Sequence, residues 1–88
     1  MEGFDPGTGK GYTGTVSIQP NGSIYRVLWN VDGDRYSGVG IKKGSLLLCG
    51  WGKNGGAVIV YSQKGTLLNG QWAQPASSNL GTEYLRKR

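Results

Sequence analysis

From Tyr12 to Gln19 the chain alternates strictly, with Tyr12, Gly14, Val16 and Ile18 on one side and Thr13, Thr15, Ser17 and Gln19 on the other. A period of two is what a half-buried β-strand requires, and no stretch of useful length carries a helical period. Glycine divides the remainder into similar short pieces. Gln19-Pro20-Asn21-Gly22 fits a type I turn, with proline setting φ at the second position, and a second strand is expected from Ser23 to Asn30. Asp32-Gly33 marks the next reversal. The strand after it, Arg35 to Ile41, carries Val39 and Ile41 on one face and Tyr36, Gly38 and Gly40 on the other. Lys43-Gly44 turns the chain into Ser45 to Trp51, Asn54-Gly55-Gly56 into Ala57 to Gln63, and Lys64-Gly65 into Thr66 to Ala73. A longer loop, Gln74 to Asn79, leads to Leu80 to Arg86. The expected fold is all-β, an antiparallel meander of about seven strands forming a barrel-like or curved sheet. Residues 1–10 are expected to be a flexible N-terminal segment and 11–88 a single all-β domain.

A chain of 88 residues has room for one domain and buries a modest share of its surface. Its one cysteine can form no internal disulfide, so oligomerisation is the natural supplement to a small core. The 17 glycines are spread between runs of Val, Ile, Leu, Tyr and Trp, which is a folded pattern and not a low-complexity one. No run is long and apolar enough for a membrane helix, so no membrane insertion is expected. Met1 to Thr15 holds no apolar signal-peptide core. That places the chain in the cytoplasm as written, or in a secreted or periplasmic setting if a leader has been removed.

Most catalytic chemistry lacks its residues here. There is no histidine, which removes the Ser-His and Cys-His pairs and most catalytic zinc sites. The five carboxylates are Glu2, Asp5, Asp32, Asp34 and Glu83, too few and too scattered to single out a glycosidase pair. Asp32-Gly33-Asp34 lacks the further oxygens and closing glutamate of a calcium loop. Gly7-Thr-Gly-Lys-Gly11 lacks the strand, helix and hydroxyl of a phosphate loop. Cys49, between Leu48 and Gly50, has no activating neighbour and is expected to be a buried core residue. The expectation is therefore a non-enzyme with no cofactor and no metal.

Two patterns remain that bear on binding. The tryptophans Trp29, Trp51 and Trp72 and the tyrosines Tyr12, Tyr36, Tyr61 and Tyr84 recur at roughly 21- to 25-residue intervals, about one hairpin each. Aromatic side chains suit cores, cavities and interfaces alike, and the candidate ligand-binding set is Tyr25, Trp29, Tyr36, Trp51, Tyr61 and Trp72. The second pattern is charge. Alternate turns of a meander fall at one end, so Lys42, Lys43, Lys64, Arg86, Lys87 and Arg88 should gather as a basic patch. Asp32 and Asp34, with Glu2 and Asp5, should lie opposite, together with Lys10, Arg35 and Lys53. With a net charge of +5 this polarity favours an anionic partner, nucleic acid or another polyanion among them, although lysines also suit solvated turns. No recognition helix, aromatic-basic RNA motif or zinc knuckle accompanies it.

Tyr12-Thr-Gly14 with Ile18, Tyr25 through Trp29, Tyr36-Ser-Gly-Val-Gly-Ile41, Leu46 to Trp51, Val58 to Tyr61, Gly65 with Leu67, Gly70-Gln-Trp72 and Gly81-Thr-Glu83 form a pattern along nearly the whole chain. In these residues the chain resembles a family of small bacterial β-proteins often labelled fibronectin-binding. The resemblance implies no catalytic or ligand residues. It implies secretion and a tandem pair of units making one barrel-like object, where this chain has a single unit and no visible signal; a homodimer would restore the pair. Independently, Leu46 to Leu48 and Val58 to Val60 carry apolar residues on both faces, more than one small sheet covers. The expectations are thus a binding module with an aromatic-lined surface or cavity and an unknown ligand, or a polyanion-binding electrostatic module, or a structural dimer.

Overall fold

The structure, a computed structural model, describes residues 1–52, 56–75 and 78–86. Eight strands follow one another: β1 (Glu2–Asp5), β2 (Lys10–Asn21), β3 (Ile24–Val31), β4 (Asp34–Lys43), β5 (Leu46–Trp51), β6 (Ala57–Lys64), β7 (Leu67–Ala73) and β8 (Gly81–Arg86). Each pairs antiparallel with its chain neighbours, and β8 pairs with β1, so the meander closes into a barrel. The N-terminal segment 1–10, expected to be flexible, instead supplies β1. Though only four residues long, β1 pairs with Thr13 to Lys10 on one side and Tyr84 to Thr82 on the other. Without it β2 and β8 would present two unpaired edges. Followed once around the wall, the register returns to β1 displaced by about ten residues, so the strands are steeply tilted and the interior is just wide enough to be filled or to hold one small ligand.

Three hairpins at one end share a two-residue turn of glycine followed by a hydroxyl residue: Gly22-Ser23, Gly44-Ser45 and Gly65-Thr66, each glycine at positive φ. The first corrects the expected Pro20-Asn21 turn. Pro20 and Asn21 stay in β2, paired with Tyr25 and Ile24, and the chain reverses two residues later. At the other end Asp32 and Gly33 both take positive φ, 50° and 87°, the geometry of a tight hairpin whose twist matches its strands. Asn54 and Gly55 lie outside the described residues. After each Gly-Ser or Gly-Thr turn, the same number of residues leads down β3, β5 and β7 to Trp29, Trp51 and Trp72. The aromatic periodicity is therefore a hairpin repeat.

Aromatic residues of the interior are paired in register with glycines on the neighbouring strand, and at Gly3, Gly70 and Gly81 the ring lies directly over the glycine. Gly3 is opposite Tyr12, Gly38 opposite Trp51, Gly40 opposite Tyr25, Gly70 opposite Tyr61 and Gly81 opposite Trp72. A Cβ on Gly70 would come within 2.8 Å of the Tyr61 ring, and one on Gly81 would overlap the Trp72 indole. This pairing also explains β4, whose inward face is Gly38 and Gly40 while Val39 and Ile41 point out. The core so enclosed comprises Val27, Trp29, Leu47, Cys49, Ile59, Tyr61, Trp72 and Leu85. Cys49 is buried in it, as its apolar strand neighbours require. Adding a methyl where a rigid buried ring already sits forces displacement of the ring or backbone. Gly70→Ala and Gly81→Ala should each cost about 1–3 kcal/mol in denaturant unfolding, whereas Gly11→Ala, on an exposed position of β2 with no close neighbour but a carbonyl at 3.5 Å, should stay within about 0.5 kcal/mol.

Candidate binding site

The strands β2, β4, β6 and β8 all run toward the end that carries the three Gly-Ser or Gly-Thr turns. There the interior is open. A cavity of about 540 Å3 is walled by Val16, Ile18, Tyr25, Leu47, Leu68 and Leu85, with Lys42, Ser45, Gln63, Thr66 and Arg86 around its lip. Strand parity puts Lys42 in this position: it follows Gly38 and Gly40 on the inward face of β4, one step beyond the level at which inward side chains are enclosed. Gln63 follows Ile59 and Tyr61 in the same way on β6, and its side-chain amide donates to the Gly65 carbonyl oxygen, tying it to the turn.

Lys42, Lys43, Lys64 and Arg86 share this end, with Lys42 and Arg86 lining the cavity. Lys87 and Arg88 lie outside the described residues, as does Lys53. Asp32, Asp34 and Asp5 are at the opposite end, beside the β3–β4 and β1–β2 turns, with Lys10 and Arg35. Glu2 departs from the expected map: it sits on the outer side of β1 opposite Tyr84, partway along the wall.

The six aromatic candidates do not form one surface. Tyr61 is 0 % exposed, Trp29 3 % and Trp72 8 %, so these three fill the interior. Trp51 packs against Trp29 with ring centroids 4.9 Å apart, and Tyr36 stands exposed at the acidic end opposite Trp29 in register. Tyr25 alone of the six lines the cavity. The barrel is thus plugged with aromatic rings toward one end and lined at the other by aliphatic side chains and Tyr25.

Below the cavity lies a polar group that alternation alone did not single out. Glu83 is 3 % exposed, inward on β8 between Gly81 and Leu85. Its carboxyl accepts from the Tyr61 hydroxyl and, at 3.0 Å, from the Tyr12 hydroxyl, while the Trp29 indole N–H donates to the Tyr61 oxygen at 2.8 Å. Rings from β2, β3 and β6 are thereby tied to one carboxyl on β8. The Trp72 indole N–H, by contrast, has no acceptor among the described residues. The sequence signal for Glu83 was its phase, since a carboxylate in step with Gly81 and Leu85 must point inward.

Burial pushes the Glu83 carboxyl above the ordinary carboxylate range, against the donors that draw it back. Burial and the neighbouring carboxyl push the Tyr61 and Tyr12 hydroxyls up as well, and the Cys49 thiol to about 11. The two tyrosine hydroxyls and the Cys49 thiol are thereby held in their protonated, unreactive forms near neutrality. Because the folded chain keeps the Glu83 proton over an interval in which the unfolded chain has lost it, stability contributed at acid pH is lost as pH rises above the ordinary carboxylate range. Glu83→Gln, which keeps an acceptor without the charge, should flatten that decline in unfolding measured from pH 4 to 8. Glu83→Ala leaves the buried Tyr61 hydroxyl without an acceptor, while the Tyr12 hydroxyl keeps the Thr82 carbonyl oxygen at 3.3 Å, and should cost about 1–3 kcal/mol.

On the outer wall a shallow apolar groove of about 660 Å3 runs between Ile24, Val39, Ile41, Leu48, Val58 and Leu80. Among the described residues no three potential metal ligands gather, and no helix is long and apolar enough to cross a membrane. Comparison with protein-family models, curated proteins and solved structures finds no match. The resemblance to the tandem β-proteins rests on the residues quoted for it.

Proposed function

We propose that this chain is a non-catalytic binding module whose ligand enters the barrel through its basic end. The observation that carries this reading is the uneven filling of the interior: aromatic rings close one end, while the other keeps a 540 Å3 cavity of the size and apolar character typical of small-molecule sites. Rigid tilted strands hold its walls, so the site is formed before a ligand arrives. A neutral fluorescent apolar probe such as N-phenylnaphthylamine should bind once per barrel. Leu68→Trp, which fills the cavity from β7, should weaken that binding at least about tenfold. The polyanion reading draws on the same lysines and predicts the opposite salt behaviour: heparin or duplex DNA held by the rim should lose affinity steeply between 50 and 200 mM salt, while the neutral probe should not respond.

A homodimer is the second part of the proposal, favoured by the outer wall. Ile41, 55 % exposed, lies directly opposite Leu48, 40 % exposed, and Val58, 61 % exposed, stands diagonally from Leu48 on β6. The exposed apolar side chains are densest on β4, β5 and β6, with Phe4, Leu28 and Tyr84 standing elsewhere on the wall, and β2 interrupts them by turning Thr13, Thr15, Ser17 and Gln19 outward. An outer-membrane barrel needs an apolar band all round, whereas a two-fold dimer needs one self-complementary patch. Covering about 800 Å2 per partner would use about an eighth of the 6182 Å2 surface. Light scattering at micromolar concentration should give about twice 9.4 kDa, and a mass near 9.4 kDa itself would sink the dimer. Leu48→Asp should shift the mass to monomer, and Thr15→Asp should leave it unchanged.

A further inference from the structure

We infer that the ligand is a single-chain anionic amphiphile, a molecule with one hydrocarbon tail and a carboxylate, sulfate or phosphate head. This rests on the cavity being the binding site and goes beyond it by assigning the ligand's chemistry. Polarity in the cavity is sorted by depth. The wall side chains Val16, Ile18, Leu47, Leu68 and Leu85 offer no hydrogen bond, Tyr25 adds a single hydroxyl, and the Tyr61–Glu83 group below them is already bonded within itself. A sugar, a nucleobase or a peptide would leave its own polar groups unpaired there. A hydrocarbon tail has none to lose.

At the lip the chemistry reverses. Lys42 and Arg86 line the opening, Lys43 and Lys64 stand on the same rim, and none of the five carboxylates lines the cavity. A tail anchored in the wall would hold its head among these cations, where an anion is favoured and a cation is repelled. The volume decides the number of tails. At about 540 Å3, open to solvent on one side, the cavity suits one tail and not the two of a membrane phospholipid. Apolar wall and basic rim together form one site.

The experiment is calorimetric titration with three ligands that share a tail and differ in head: decanoate, decanol and decyltrimethylammonium, all below their micelle or solubility limits. Decanoate should bind once per barrel and at least about tenfold tighter than decanol, with decyltrimethylammonium weakest. From hexanoate to decanoate each methylene should tighten binding about fourfold at most. Lys42→Glu should reverse the preference between the two charged heads while leaving decanol binding unchanged, which also shows that the variant is folded. Equal binding of decanoate and decanol overturns the assignment of an anionic head and leaves the cavity reading standing. Binding of inorganic phosphate as tight as that of decyl phosphate shows that the tail contributes nothing and overturns it too. Sedimentation with anionic vesicles without decanoate binding makes the rim a membrane contact and overturns it likewise. Failure of every tail, with failure of the neutral probe, removes the cavity reading itself.

Discussion

The interior of this barrel depends on the absence of a side chain at specific points of its wall. Large rings fit inside an eight-stranded barrel most readily where the facing wall gives up its own side chain, and here Tyr12, Tyr25, Trp51, Tyr61 and Trp72 each have a glycine as one cross-strand partner, while Trp29 sits between Val16 and Tyr36. A glycine in a strand interior weakens it by loss of chain entropy and of packing surface. The ring restores the packing from across the strand pair. The arrangement also distributes bulk unevenly, because the tryptophans all come at the far ends of the strands that start from the Gly-Ser and Gly-Thr turns. One end of the barrel is plugged for that reason and the other is left to Val16, Ile18, Leu47, Leu68 and Leu85.

Burying Glu83 among these rings looks unfavourable until its partners are counted. A lone carboxylate at 3 % exposure is costly, but Tyr61 and Tyr12 both donate to it and Trp29 supports Tyr61. A ring sealed in an apolar interior can rotate and shift; a ring whose hydroxyl must reach one carboxyl cannot. The network gives the plug a defined geometry, which in turn gives the cavity above it a fixed floor. Glycine positions set ring positions, and ring positions leave a preformed cavity at the basic end.

Much of the fold was legible because its signals are local. Alternation in β2, the Asp32-Gly33 reversal and the lysine-glycine turns depend on neighbouring residues, and the end-for-end sorting of Lys42, Lys64 and Arg86 follows from strand parity. The departures came where the deciding partner is distant. Glu2–Asp5 is too short to read as a strand until β8 and β2 are known to need something between them. Pro20-Asn21-Gly22 has turn residues at every position, and register with Tyr25 and Ile24 moved the reversal two residues on. The aromatic residues showed a hairpin-length recurrence in the sequence, but recurrence does not distinguish a ring that fills a barrel from one that lines a cavity. That distinction is a matter of volume, decided by which glycine faces which ring.

The proposed ligand enters the basic mouth and does not lie on the apolar outer wall. Methyl resonances separate the two surfaces directly, because Ile18, Leu68 and Leu85 line the cavity while Ile24, Ile41 and Leu48 line the outer groove. In a methyl-labelled sample titrated with decanoate, shifts confined to Ile18, Leu68 and Leu85 are the predicted result. Shifts confined to Ile24, Ile41 and Leu48, or none at saturating ligand, would contradict it.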